Sequence, residues 1–312
     1  MMTISAEICP DLNFKGPVLS ENEPNAAISD QEKVKEGMYH MNKFEGVANT
    51  LFVPLVARIA VSKEFPEYFM DKKALELEPY LPDDAAKGSS QYSNMASVAR
   101  YYNMDRMVTA FAKDHPECNV VYLGAGLETA YDRMHKNLPG VNWFEADLPD
   151  VIEARRTIFG QREHETTIPG NMFRMEWVDQ VDNSLPTILV ISGVFQYFHE
   201  EDVVRFIQNC KASFPDAEMI FDATSKFGLL YTNWFIKRTG NTSALMYFGI
   251  DDCKAFAEKC GTVLLEERTF FPDALRILGK RLNFMTRLSM KTAEQRKLVM
   301  ILHLRLSQVK KL

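Results

Sequence analysis

Two stretches decide the fold: VVYLGAGLET at residues 120–129 and NWFEADLP at residues 142–149. The first is a short apolar run that ends in a Gly-x-Gly turn and then becomes helix-like. The second is another strand-like run, and it ends in the carboxylate of Asp147. Nucleoside ligands bind outside the carboxyl ends of parallel strands, where an acid accepts hydrogen bonds from the ribose diol. The two stretches therefore predict a parallel α/β sheet with a ligand site at Gly124, Gly126 and Asp147.

The spacing of the glycine turn separates two classes of ligand. A dinucleotide fingerprint requires a third glycine beside the pyrophosphate, and Thr129 occupies that position here. No Gly-Lys-Ser/Thr follows, which excludes a P-loop. S-adenosylmethionine has no phosphate and tolerates a looser turn; a Cβ at Gly124 or Gly126 would hold it away from the backbone. The turn alone is equally compatible with simple packing, and Asp147 at the end of the next strand favours the ligand interpretation.

The chain resembles the leucine carboxyl methyltransferase family, most closely its branch of polyketide-synthesis O-methyltransferases of the tetracenomycin type. The family motifs V-x-L-G-A/C-G-L-D-T and D-L-P-x-V-I-x-x-R correspond to VYLGAGLET at 121–129 and DLPDVIEARR at 147–156. The resemblance continues at 191–198 and 200–203 and, more faintly, at 248–252, and it covers roughly residues 45–270 in all. It implies a class I S-adenosylmethionine-dependent methyltransferase fold, that is, a Rossmann-like doubly wound sheet with an antiparallel terminal strand, plus a helical lid. It also implies S-adenosyl-L-methionine as the cofactor.

Composition and charge narrow the possible partners and location. The 36 Lys and Arg residues and the 42 Asp and Glu residues give a net charge of −6, which argues against a nucleic-acid or membrane-surface partner. Residues 1–30 lack the basic start and apolar core of a signal peptide, and no apolar run approaches the ~20 residues that span a bilayer. The five cysteines form no C-x-x-C pair, which is typical of a cytoplasmic protein. The spacing of the six histidines supports no zinc site.

The chain is predicted to have three parts. Residues 1–30 are expected to form an N-terminal arm and residues 31–95 a lid segment. In that segment the apolar positions recur at helical spacing from Val34 to about Glu78, and a loop is predicted at 82–94. Residues 96–312 are the predicted methyltransferase domain, with apolar lid insertions at 225–250 and 272–297. Strands are predicted near 119–123, 141–146, 187–193, 217–223 and 262–269, with an antiparallel edge strand at 299–309.

The resemblance implies catalytic roles for Arg100 and Tyr197. Arg100 falls where the family places an arginine near the carboxylates of cofactor and acceptor, and a guanidinium binds a carboxylate bidentately. Tyr197 matches a family tyrosine that can donate to an acceptor oxygen. The alternatives are a surface arginine and a tyrosine in a core cluster with Phe195 and Phe198. Arg58 is a weaker candidate for a functional residue: it interrupts an apolar helix face, and snorkelling at a helix surface explains this equally well.

Two positions depart from the family pattern. In the family the fourth strand usually ends in Glu-Gly or Glu-Cys, and here the corresponding pair is Ser192-Gly193, so that a hydroxyl replaces the acid. An adenine-binding Asp-Leu after the third strand is replaced by residues that include Met172 and Phe173, whose side chains suit an apolar sandwich around a purine. The predicted cofactor-binding residues are Arg100, Gly124, Gly126, Asp147, Leu148, Met172, Phe173 and Ser192.

Together these features predict an S-adenosylmethionine-dependent O-methyltransferase that acts on a carboxylate or hydroxyl of a small, polyketide-like molecule. A carboxylate is ionised at neutral pH and needs no base, whereas a phenol requires one; His199 is the base nearest the motifs. The aromatic and methionine content of the predicted lid favours a small apolar acceptor. Two alternatives stay open: methylation of a protein C-terminal carboxylate, and a non-catalytic module that binds S-adenosylmethionine.

Overall fold

A seven-stranded mixed sheet lies at the centre of the protein. The structure, a computed structural model, describes residues 29–41, 51–214, 216–239 and 245–307. The strands are β1 Cys118–Leu123, β2 Val141–Asp147, β3 Glu165–Pro169, β4 Thr187–Ile191, β5 Glu218–Thr224, β6 Val263–Thr269 and β7 Val299–Arg305. They lie in the order β3-β2-β1-β4-β5-β7-β6. Strands β1 to β5 are parallel, and β7 is antiparallel to both β5 and β6. The predicted doubly wound sheet of the class I methyltransferase type is confirmed.

Strand β1 shows why this sheet positions a site. All six of its residues are buried, as expected for a parallel strand that is covered on both faces. Val120 and Tyr122 belong to the apolar cluster on one face, and Val121 and Leu123 belong to that on the other, because successive side chains of a strand alternate. Since β1, β2, β4 and β5 are parallel, their carboxyl ends meet at one edge of the sheet.

The prediction that the last strand forms an edge is wrong. β7 lies between β5 and β6, with Ile301 in one apolar cluster and Met300 and Leu302 in the other. The alternation of apolar and polar residues along β7 arises partly because His303 pairs with Glu218 of β5. It does not arise because one whole face of the strand is exposed to water. The edge is β6, most of whose residues are half-buried. At the opposite edge, β3 was not among the predicted strands, because its sequence ETTIP is short and largely polar.

Helices cover both faces of the sheet. They are α1 Asp30–Met41, α2 Phe52–Glu64, α3 Lys72–Leu77, α4 Gln91–Asp114, α5 Ala130–Met134, α6 Pro149–Phe159, α7 Glu200–Ser213, α8 Lys226–Thr239, α9 Cys253–Cys260, α10 Pro272–Leu278 and α11 Phe284–Gln295. Buried side chains of α4, α5, α10 and α11 pack on one face, and those of α7 and α9 pack on the other. Within the described ranges, no helix combines the length and the apolarity that crossing a membrane requires.

A third apolar cluster joins α1, α2, α3 and α6, and it includes Leu127 from the glycine turn. The segment 31–95 holds α1 to α3 and the start of α4, so its predicted end falls within a helix. The segment 225–250 contains α8, and the segment 272–297 contains α10 and α11. The predictions also cover residues that lie outside the described ones: 1–28 of the arm, 42–50 of the lid segment, 240–244 of the first insertion, 308–309 of the last strand, and 215 and 310–312 of the predicted domain.

Candidate active site

The turn after β1 depends on two glycines in the left-handed region. Gly124 has a φ angle of +73° and Gly126 one of +48°, which side chains rarely adopt. A Cβ on Gly124 would come within 2.5 Å of Val194 Cγ2, and a Cβ on Gly126 within 2.7 Å of Leu51 Cδ2. The positive φ angles, together with the contact of Val194 at Gly124, therefore favour glycine at both positions without any ligand.

Asp147, at the end of β2, lies against this turn. Its carboxylate accepts hydrogen bonds from the N–H groups of Gly126 and Leu148, both at 2.7 Å. Burial raises the pKa of Asp147, and these two N–H groups oppose the rise. Each carboxylate oxygen has a further lone pair, so Asp147 can accept hydrogen bonds from a ligand as well. The structure thus brings together Gly124, Gly126 and Asp147.

A second group of residues lies at the ends of β4 and β5. Arg100 of α4 pairs with Asp222 of β5, with 3.2 Å between Nη1 and Oδ2. The other carboxylate oxygen of Asp222 accepts the N–H of Gly193 at 2.6 Å. Gly193 has a φ angle of +73°, and a Cβ there would come within 2.8 Å of Arg100 Nη1. Burial would lower the pKa of Arg100, but Asp222 outweighs it and holds the pKa above its ordinary value.

Asp222 is not among the residues predicted from the sequence. Strand β5 reads EMIFDAT, so Asp222 is a carboxylate near the carboxyl end of an apolar strand, the same signal that singled out Asp147. The two groups of the site adjoin each other, because Val194, which follows Gly193, lies against Gly124.

Two predicted residues follow β4. Ser192 comes directly after the strand, and its Oγ is buried with no hydrogen-bond partner among the described residues. Tyr197 ends the 3₁₀ helix Phe195–Tyr197 and is half-buried, whereas Phe195 is buried in the core. The alternative that Tyr197 is a core residue beside Phe195 is therefore less favoured, because Phe195 is buried and Tyr197 is only half-buried. His199 is exposed, and its ring centroid lies 4.7 Å from that of Tyr247.

The remaining predicted residues lie near the end of β2. Leu148 directly follows Asp147 and is 38% exposed. Met172 and Phe173 begin a 3₁₀ helix shortly after β3. The last residue of β3, Pro169, pairs with Asp147. Met172 is buried, and the Phe173 ring packs 4.4 Å from that of Phe198. Among these three side chains, that of Leu148 is the most exposed.

The snorkelling interpretation of Arg58 is wrong. Arg58 is 1% exposed, its Nη1 pairs with Asp71 at 2.9 Å, and its Nη2 donates to the carbonyl of Leu127 at 2.7 Å. It also donates to Thr129 Oγ1. Periodicity shows that a charge interrupts an apolar helix face, but it does not show which partner lies opposite that charge.

Arg155 holds the same turn from the α6 side. Its buried guanidinium donates to the carbonyls of Gly126 at 2.7 Å and Glu128 at 3.0 Å, and it pairs with Glu145 of β2. Arg155 belongs to the family motif at 147–156 but is not among the predicted site residues. Two buried guanidiniums thus bind three consecutive carbonyls of the turn, those of residues 126–128.

Comparison with known proteins agrees with this geometry. Residues 45–211 match the family described as leucine carboxyl methyltransferase. The chain is 26% identical over 204 residues to the tetracenomycin polyketide synthesis O-methyltransferase TcmP of Streptomyces glaucescens, a match that covers 64% of this chain and 75% of TcmP.

Two solved structures share the fold. A Thermobifida fusca protein provisionally assigned as a methyltransferase has a TM-score of 0.54 at 14% identity, covering 81% of this chain and 95% of that one. A DUF574 family protein from Streptomyces avermitilis also has a TM-score of 0.54, at 15% identity, covering 80% of this chain and 96% of that one. At these identities the similarity supports the fold alone.

Proposed function

The chain belongs to the leucine carboxyl methyltransferase family and is a methyltransferase, and we propose that it transfers a methyl group from S-adenosylmethionine to an oxygen of a small acceptor. The observation that carries the proposal is the meeting of the glycine turn, Asp147 and the Arg100–Asp222 pair at one edge of the sheet. Ligands of doubly wound folds bind at this edge. Family membership disfavours the non-catalytic alternative.

The described residues fit S-adenosylmethionine. Asp147 is held in place by two N–H groups and retains lone pairs for a ribose diol. Arg100 Nε and Ser192 Oγ are buried and have no partner within the described ranges. Since buried polar groups are nearly always hydrogen-bonded, both atoms suit a polar group of a ligand. When bound, the cofactor supplies a methyl group on a positively charged sulfur; Arg100 would hold its carboxylate, and Leu148 and Met172 would contact its adenine.

Orientation is the main contribution that we assign to the protein. An in-line displacement with a good leaving group depends on alignment of the reacting atoms. An acceptor carboxylate, with an ordinary pKa near 4, arrives ionised and needs no base. In this proposal Arg100 stays charged beside Asp222, and Tyr197 donates a hydrogen bond to the acceptor oxygen.

The acceptor that we propose is small, apolar and polyketide-like. One support is the relative TcmP, which is an O-methyltransferase of tetracenomycin polyketide synthesis. The other is the set of exposed apolar side chains on α8 and on α11, among which Leu230 and Phe284 are 71% and 66% exposed. Contiguous exposed apolar patches are typical of binding surfaces, and the exposed Phe284 and Leu288 lie one helical turn apart on α11.

Calorimetric titration with S-adenosylmethionine tests the cofactor. The wild type should bind, and Asp147→Ala should weaken binding by about 1.5–3 kcal/mol, the contribution of a hydrogen bond to a charged group. Asp150→Ala, which removes an exposed carboxylate three residues away, should bind like the wild type. Equal affinity of Asp147→Ala would reject the ribose role, and tight NAD binding by the wild type would reject the cofactor class.

The acceptor is identified by screening carboxylic and phenolic metabolites with the wild type. Once one is found, Tyr197→Phe should lower turnover more than cofactor affinity. His199→Ala should change the rate little for a carboxylate acceptor. A loss of about 100-fold in His199→Ala, the low end for general-base catalysis, would instead identify a hydroxyl that His199 deprotonates.

A further inference from the structure

Helices α2 and α3 reach the glycine turn through a chain of buried charges. Asp71 has no exposed surface, and besides Arg58 its Oδ2 accepts Thr129 Oγ1 at 2.6 Å and Arg133 Nη1 at 3.1 Å. Its Oδ1 accepts the N–H of Ala74 at 2.8 Å and so caps the start of α3. A single carboxylate therefore joins α2, α3, α5 and the turn.

The charges of this cluster compensate one another. Burial would raise the pKa of Asp71, but Arg58 and Arg133 outweigh it and hold the pKa below its ordinary value of 3.8. Arg133 makes two hydrogen bonds to Asp105 of α4, at 2.7 and 2.8 Å, and pairs with Glu128 of the turn at 2.9 Å. Asp71 is consequently ionised at neutral pH and bound on several sides.

One aromatic ring links this cluster to the second group of the site. The Tyr101 ring centroid lies 4.9 Å from the guanidinium carbon of Arg58 and 5.5 Å from that of Arg133. The guanidinium carbon of Arg100 lies 5.3 Å from the same centroid. Cations at such distances are attracted to the face of a ring, so the cluster and Arg100 share one support.

We infer that Arg58 and Asp71 are positioning residues for the cofactor. They hold the carbonyl of Leu127, and with it the glycine turn, in the shape that binds S-adenosylmethionine; the inference rests on the proposed function. The planar guanidinium of Arg58 reaches Asp71 and Leu127 together, which a single ammonium group cannot reproduce. Because displacement of α2 would leave buried charges unpaired, α2 and α3 form a fixed wall of the cofactor site and not a lid that opens.

The test compares the affinity for S-adenosylmethionine of Arg58→Lys with that of Lys63→Ala. Lys63 lies on the same helix and pairs with Glu78 at the surface, so its removal perturbs α2 without touching the turn. Arg58→Lys should weaken binding about tenfold or more, the loss of one charge-assisted hydrogen bond, and Lys63→Ala should not. Affinity is measured at a temperature where circular dichroism shows each variant fully folded, because a merely structural role lowers the melting temperature and leaves the affinity unchanged.

If Arg58→Lys does not fold, Thr129→Val serves instead. It removes the hydroxyl between Asp71 and the arginines at nearly constant volume, and Thr129→Ser, which keeps the hydroxyl, should restore affinity. Wild-type affinity in folded Arg58→Lys or Thr129→Val would overturn the inference and leave the proposed function standing. Failure of the wild type to bind S-adenosylmethionine would overturn the proposed function itself, and the inference with it.

Discussion

Two helical regions outside the alternation of strands and helices, α2 with α3 and α8 with α11, are built in different ways. Helices α2 and α3 share an apolar cluster with Leu127 of the glycine turn and, in addition, reach the turn through the charges of Arg58 and Asp71, both at most 1% exposed. Helix α11 packs on the rest of the protein through Met290 and Ala293, but α8 and α11 expose large apolar side chains. These are Phe227, Leu230, Phe284, Met285 and Leu288.

The difference indicates how the two regions divide their tasks. Buried charges tolerate little displacement, because each must keep its partner. Apolar contacts are non-directional, so their partners can be exchanged at smaller cost. We therefore expect α2 and α3 to stay fixed around the cofactor, and α8 and α11 to adapt to the acceptor. Hydrogen exchange compares them directly: on ligand binding, protection should rise more in α8 and α11 than in α2.

Removal of the central carboxylate should have the largest effect. Asp71→Ala leaves Arg58 and Arg133 buried with less compensation, which should lower the free energy of unfolding by about 3–5 kcal/mol. Urea denaturation measures this loss of unfolding free energy. Lys63→Ala is the control, because the exposed pair of Lys63 and Glu78 contributes at most about 1 kcal/mol. Similar losses in the two variants would show that the buried cluster does not anchor this region.

Low pH should lower the free energy of unfolding less than the Asp71→Ala substitution does, because a protonated Asp71 keeps some of its hydrogen bonds. Burial would raise the pKa of Asp71, but Arg58 and Arg133 hold it below 3.8. A carboxyl whose pKa is lowered by folding contributes stability above its unfolded pKa and loses it as pH falls through the folded pKa. The difference in unfolding free energy between the wild type and Asp71→Asn should therefore be constant above about pH 4 and shrink below it. A difference that does not change with pH would contradict this assignment.

The second arginine–aspartate pair should matter more for activity than for folding. Arg100 and Asp222 are 12% and 11% exposed, so water can partly replace a lost partner. Asp222→Asn can still accept the N–H of Gly193 but loses the charge, which should cost kcat/KM about 1.5–3 kcal/mol of transition-state stabilisation. The matched control is Asp216→Asn, which changes an exposed residue just before β5. If Asp222→Asn kept the wild-type kcat/KM, Asp222 would have no role in the reaction.

The smallest effect on stability should come from the surface of the second region. Phe284→Ser and Leu288→Ser alter exposed side chains, so the free energy of unfolding should change by about 0.5 kcal/mol or less. Cofactor affinity should stay at the wild-type value, while the KM for an apolar acceptor should rise. A change in cofactor affinity with an unchanged acceptor KM would reverse the division of tasks proposed for the two regions.

The local parts of the site could be predicted from the sequence. The glycine turn and Asp147 each end a strand-like run, and parallel strands bring their carboxyl ends to one edge; Gly126 and Asp147 do meet there, 2.7 Å apart. The charged supports could not be predicted in this way. Arg58 binds a carbonyl 69 positions away, and Arg100 binds a carboxylate 122 positions away, so only the packing of helices on the sheet defines these pairs.

By itself, the sequence determined the strand–helix alternation, the sheet type and the edge at which the glycine turn and Asp147 meet, because hydrophobic periodicity and glycine spacing are local properties of the chain. Tertiary structure alone decided that β7 lies inside the sheet, that Arg58 is buried and not snorkelling, and that Asp222 holds Arg100. A periodic pattern reports that a residue differs from its neighbours along one element. What that residue pairs with depends on which element packs opposite, and burial then makes the pairing obligatory, since an isolated charge is costly away from water.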